Sequence, residues 1–96
     1  MSPKNKKKLI LIRKKLDSLD NKLIELIKKR TKLVDKVVQL KVFKKEIVDK
    51  KRISNILKGV KQKSIRKNID PKITHRIWKN MIWSYINYER KIFKKK

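Results

Sequence analysis

The chain has 96 residues, 32 of them Lys or Arg and 8 Asp or Glu, for a formal net charge of +24. It has no cysteine and one histidine, which excludes disulfide scaffolds, cysteine nucleophiles and multi-histidine metal centres. One glycine and two prolines argue against a turn-rich β fold and a glycine-rich phosphate loop, while 39 % hydrophobic residues at regular spacing argue against disorder.

The first predicted element is a long helix from about Asn5 to Lys41. Leu9, Ile12, Leu16, Leu19, Leu23, Leu26, Arg30, Leu33, Val37 and Leu40 recur at alternating steps of four and three. Ile24, Ile27, Val34 and Val38 widen this stripe, and nothing breaks it after Pro3. A helix of that span is roughly 55 Å long. A compact chain of this size has a radius of gyration of only about 12–13 Å. The stripe therefore outruns its own domain, and a homodimer is the economical way to cover it.

Val42 to Val48 reads as a loop or extended link. Asp49 is placed to N-cap a second helix from Lys50 to about Lys63, with Ile53, Ile56, Leu57 and Val60 facing inward. A linker from Ser64 to Ile69 follows. Asp70-Pro71 is a start signal for a third helix to about Phe93, with Ile73, Ile77, Met81, Ile82, Tyr85, Tyr88 and Ile92 at helical spacing. The expected architecture is all-α, a single domain over 1–96, with frayed basic ends at 1–8 and 94–96. The apolar run Leu9–Ile12 is shorter than the roughly 7–15 residues of a signal peptide or the about 20 of a membrane helix. The expectation is a cytoplasmic protein without membrane partners.

The charge alone points to nucleic acid, since neutralising phosphates takes many cations. Its make-up weakens that reading: there are 26 Lys against 6 Arg, with 14 Ile, 6 Asn and no Ala. Lys, Ile and Asn belong to AT-rich codons, so most of the lysines are read as a solvated face. Trp78, Trp83, Tyr85 and Tyr88 are read as core and interface aromatics rather than base-stacking platforms. His75, Asp17 and Asp20 are read as surface residues, and Asp35 and Glu46 receive no role.

Arg30 stands apart because it occupies a core-type position of the first helix. A buried arginine needs partners, and no carboxylate lies three or four residues away on that helix. Lys41 returns to within about 20° of the same face and about 16 Å along the axis, so both cations can converge on a small anion. Arg13 is about 25 Å from Arg30 along the helix and about 100° around it. In an antiparallel dimer Arg13 of one chain can meet Arg30 of the other. Geometry alone leaves open that all three are surface cations.

Taken in order, these residues resemble a known family. Arg13, Leu16-Asp17, Leu19-Asp20, Leu23-Ile24, Leu26-Ile27, Arg30, Leu33-Val34, Val37 and Lys41 resemble the first helix of the all-helical, AroQ-type chorismate mutases. Ile47-Val48-Asp49-Lys50-Lys51-Arg52 is similar to the family's segment after the loop. Ile69-Asp70-Pro71, Ile77-Trp78, Met81-Ile82 and Glu89 are similar to its third helix. The resemblance spans residues 9 to about 93. It implies three helices per chain in an intertwined homodimer, with Arg13 supplied to each active site by the other chain. It also implies a small dicarboxylate substrate, chorismate, no cofactor and no metal.

Rearranging chorismate to prephenate needs no nucleophile or proton donor, only a held chair-like conformer and stabilised charge on the ether oxygen. By the resemblance, Arg13 and Arg30 take the two carboxylates, which suits their planar fork. Lys41 and Glu89 serve the ether oxygen. Arg52, Asp49 and Tyr85 shape the pocket, and Val37 packs against the ring. Many members carry Gln where this chain has Glu89. A carboxyl group there must be protonated to donate, so activity should fall as pH rises. Ile53 stands where bacterial mutases commonly have a Glu that meets the substrate hydroxyl. The related isochorismate-pyruvate lyases are also apolar at that place and resemble this chain around Tyr85-Ile86. The lyase is the second reading, and a basic nucleic-acid-binding protein is the alternative of another class.

Overall fold

In the computed structural model, which describes residues 1–94, the chain begins with a capped helix. Ser2 Oγ accepts from the Asn5 amide at 3.2 Å and Pro3 takes the first helical position, so α1 runs Pro3–Leu40. The basic residues 4 to 8, expected to be frayed, are thus part of the helix. The third lysine of the C-terminal basic run, and its neighbour Lys95, lie outside the described residues. The chain divides into two compact units, Met1–Leu33 and Val34–Lys96.

The first unit is α1 alone, and its apolar stripe is open. Leu16, Leu19, Leu23 and Leu26 each expose more than half their surface. In the second unit the contact face of α1 is a flank of that stripe. Val38 is buried, Val34 and Asp35 are half-buried, and Leu40 is 81 % exposed. Residues 35 and 38 are neighbours one turn apart, which is why they share a face.

The link after α1 is more ordered than a loop. Lys44–Ile47 forms a single 3₁₀ turn, and its last residue, Ile47, is 3 % exposed. The second helix, α2, spans Lys50–Arg66, and the third, α3, spans Pro71–Ile92. Both start where their acidic caps predict. Asp49 Oδ1 accepts from the Arg52 amide at 3.0 Å, and Asp70 Oδ1 accepts from the Lys72 amide at 2.9 Å.

Helix α2 runs past the expected Lys63. Asn68 adopts a left-handed φ of 57°, the Ile69 amide donates to Ser64 O at 2.9 Å, and the Asn68 amide donates to Ile65 O at 3.2 Å. That is a Schellman ending, with Asn in the place glycine usually takes. The expected linker from Ser64 to Ile69 shrinks accordingly to the residues between Arg66 and Pro71.

The core of the second unit is small. Ile47, Ile82 and Ile86 form its buried centre, and Val48, Ile53, Ile56, Leu57 and Phe93 pack against it. On α3 the buried positions are Ile82, Ile86 and Glu89, which follow the helical repeat. Ile73 and Ile77, expected inside, are exposed because they lie off that line toward the start of the helix. Among the described residues no helix is long and apolar enough to cross a membrane.

Near the turn between α2 and α3 two hydroxyls meet. Ser64, 3 % exposed, donates to Val60 O at 2.7 Å, so its single proton is committed. Thr74 Oγ1, 2.7 Å from Ser64 Oγ, is therefore the donor of that pair, its contact with Pro71 O being longer at 3.3 Å. Ser64→Ala leaves Thr74 without a good acceptor at a part-buried position. It is expected to cost about 1–2 kcal/mol, read as a lower urea midpoint with an unchanged slope.

Candidate functional site

The described ion pair of the second unit sits on the core face of α3. Glu89 is 7 % exposed because it lies one helical repeat beyond Ile82 and Ile86. A carboxylate there must be answered by a cation or a set of donors. Lys41 answers it. Its Nζ lies 2.9 Å from Glu89 Oε1, and the two side chains are 18 % and 10 % exposed. The residue is delivered by the end of α1, where the Lys41 amide closes on Val38 O at 3.1 Å and the helix stops.

The segment that follows is held by Glu46. Its Oε2 accepts from the Val42 amide at 2.7 Å and from the Phe43 amide at 2.8 Å. Those two bonds, Phe43 first, hold the Glu46 carboxyl below its ordinary value of 4.5, with Lys41 and Lys45 adding to the shift. They also fold the link back into its 3₁₀ turn, which places Ile47 in the core. The Lys45 ammonium lies 5.5 Å from the centre of the exposed Phe43 ring.

A second polar link lies beside the first. The Tyr88 hydroxyl donates to Asp35 Oδ1 at 2.5 Å, joining α1 to α3 one residue before Glu89. This bond, with lesser help from desolvation and the Asp35 charge, raises the Tyr88 phenol above its ordinary value of 10.0. Tyr85 meets Tyr88 edge-on, with ring centres 6.4 Å apart. Neither Asp35 nor Glu46 drew a role from the sequence. The signal for Glu46 was its place three residues after Phe43, the spacing of a carboxylate that reaches back to a turn's first amide. For Asp35 no local signal existed, since its partner is remote in the chain.

The remaining expected residues are placed as follows. Asp49 spends one oxygen as the cap of α2, so the Asp-x-x-Arg spacing puts Arg52 in the first turn, where it is exposed. Ile53 is half-buried and packs against the core cluster. Val37 is exposed beside the buried Val38, and Tyr85 is half-buried. Arg13 and Arg30 belong to the first unit, Arg13 exposed and Arg30 half-buried on α1. The structure thus brings Lys41 and Glu89 into direct contact.

A cavity lies elsewhere in the second unit, between α2 and α3. It has a volume of about 1060 Å³, and its lining mixes apolar residues such as Ile53, Leu57 and Trp83 with basic ones such as Lys58, Lys61 and Arg76. Neither Lys41 nor Glu89 lines it.

With this geometry in hand, comparison with known proteins gives a definite class. The chain belongs to the chorismate mutase type II family, which matches residues 12–90. The matched span takes in Arg13, Arg30, Lys41, Asp49, Arg52 and Glu89. No curated protein and no solved structure matches the chain.

The Glu46 clamp carries a pH prediction. A carboxyl whose folded value is depressed contributes stability that is present above the unfolded value and lost as pH falls through the folded one. Wild type should therefore lose stability as pH drops below about 4.5. Glu46→Gln should be less stable at neutral pH and lose less of its stability over that acid range, as followed by thermal midpoints.

Proposed function

We propose that this protein is a chorismate mutase acting as a homodimer, with prephenate as product. The observation that carries the reading is the Lys41–Glu89 contact at 2.9 Å on the core face of α3, inside the span that matches the family. The rearrangement breaks a C–O bond and forms a C–C bond within one molecule. An enzyme for it must hold the reacting conformer and meet the negative charge that grows on the ether oxygen.

In this reading Lys41 turns its ammonium from Glu89 to the ether oxygen and a substrate carboxylate. Glu89, taking up a proton, donates to the same oxygen. Arg30 and the partner chain's Arg13 hold the two carboxylates as forks, and Val37, Asp49, Arg52, Ile53 and Tyr85 border the substrate. The open leucine stripe of α1 supports the second copy, because an exposed apolar surface of that extent calls for a partner. The reading needs no cofactor or metal, and it places the enzyme in aromatic amino acid biosynthesis in the cytoplasm.

One feature favours a second reading. Ile53 is apolar and half-buried, so it cannot accept from a substrate hydroxyl as a Glu would. That tolerance suits isochorismate, whose cleavage to salicylate and pyruvate draws on the same cations. Incubation with chorismate and, separately, isochorismate decides between them: prephenate supports the mutase, pyruvate from isochorismate the lyase. Turnover of neither, with salt-dependent nucleic-acid binding spread over many lysines, would sink both.

Arg30→Ala and Lys41→Ala should each lower kcat/KM by about 10²-fold or more. Arg13→Ala and Arg30→Ala chains are each inactive alone in this reading. Mixed in equal amounts and reassociated, they should regain about a quarter of wild-type activity, because half the dimers are mixed and carry one intact site. No recovery would count against the shared site.

A further inference from the structure

We infer that Asp35 and Tyr88 form a positioning pair that sets where Lys41 meets Glu89. The inference rests on the reading of Lys41 and Glu89 as the groups at the ether oxygen. Within the second unit the last turns of α1 are tied to α3 by two polar contacts. Tyr88 donates to Asp35 Oδ1 at 2.5 Å, and Lys41 Nζ donates to Glu89 Oε1 at 2.9 Å. Between them in the chain lies Val38, the buried apolar residue of α1.

Apolar burial is non-directional, so Val38 alone lets the end of α1 turn about its own axis. A hydrogen bond is directional. Asp35 lies about 9 Å before Lys41 along the helix, far enough for its bond to fix the rotation that aims Lys41. Tyr88 and Glu89 are adjacent in α3, so whatever holds Tyr88 also sets the backbone that carries Glu89.

Charge supplies the second half of the effect. Asp35 is half-buried in the last turns of α1, six residues before Lys41. With the phenol proton on Oδ1 it is a weaker rival to Glu89 for the Lys41 ammonium. The bond also holds the phenol proton in place, in keeping with the raised Tyr88 value. Removing the phenol oxygen leaves the carboxylate short of a donor and frees it to compete. Replacing Asp35 by Asn keeps an oxygen that can accept from Tyr88, so the geometry survives without the charge.

Four variants of the full chain separate these effects: Tyr88→Phe, Asp35→Ala, Asp35→Asn and the double change Asp35→Ala with Tyr88→Phe. Steady-state kinetics with chorismate should show kcat lowered about 5–10-fold by Tyr88→Phe and by Asp35→Ala, with KM changed much less, since misplacement of a charged group acts on the reacting geometry. The double variant should be no worse than the poorer single one, the sign of a coupled pair. Asp35→Asn should recover kcat to within about twofold of wild type.

A readout independent of turnover is the carboxyl ¹³C resonance of Glu89 at neutral pH. The chain has only three glutamates, Glu25, Glu46 and Glu89, so glutamate labelling gives an assignable spectrum. The Glu89 signal should move in Tyr88→Phe and Asp35→Ala and stay in place in Asp35→Asn. If wild type turns over no chorismate while the signal follows this pattern, the pairing stands and the mutase reading fails. Lowered thermal midpoints with unchanged kcat and an unmoved Glu89 signal would mean a bond that only stabilises the fold, and would overturn the inference. Should Tyr88→Phe fail to fold, the contrast between Asp35→Ala and Asp35→Asn carries the test.

Discussion

A carboxylate on the buried face of α3 has to be answered, and the organisation of the second unit follows from how Glu89 is answered. The side chain falls in line with Ile82 and Ile86, where any further apolar residue would simply have extended the core. Its charge demands that a cation be brought to a place few cations reach. The stop of α1 at Leu40 puts Lys41 there, and the link to Ile47 keeps that stop in position. An ion pair of this kind is a poor source of stability and a good source of specificity, since desolvation offsets most of its attraction. What it fixes is the place where the end of α1 meets α3.

Helix α1 meets two demands with two neighbouring strips of its surface. Asp35 meets Tyr88 of α3 in the same unit and Val38 is buried one turn on, a polar residue and a valine rather than leucines. The leucine stripe, the dominant periodic feature, remains open.

Much of this was legible in the sequence, for local reasons. The caps Asp49 and Asp70-Pro71 act over two or three residues, so their pattern survives without knowledge of the fold. The end of α2 was missed because Asn68 in a left-handed turn looks like any other Asn in a chain rich in them. The periodic reading put Val34 and Val38 in one stripe with the leucines, and period alone does not tell which of them face α3 and which stay open. Arg30 drew attention by interrupting that stripe, whereas Glu89 acquired meaning only from resemblance to a family. Asp35 and Tyr88 were opaque because each makes sense only through a partner half the chain away, and tertiary contacts of single polar pairs leave no period to detect.

The Glu46 carboxylate reads only main-chain amides, those of Val42 and Phe43. Nothing in that grip depends on which side chains occupy 42 to 45, four positions that are exposed to solvent. What has to be inherited is therefore the spacing between Lys41 and Ile47, together with one acidic residue at the right step. A genome drifting toward lysine and isoleucine codons can rewrite the intervening letters without moving Lys41. An inserted or deleted codon in the same stretch would shift the register and pull the ammonium away from Glu89, so this short segment should tolerate substitution far better than a change of length.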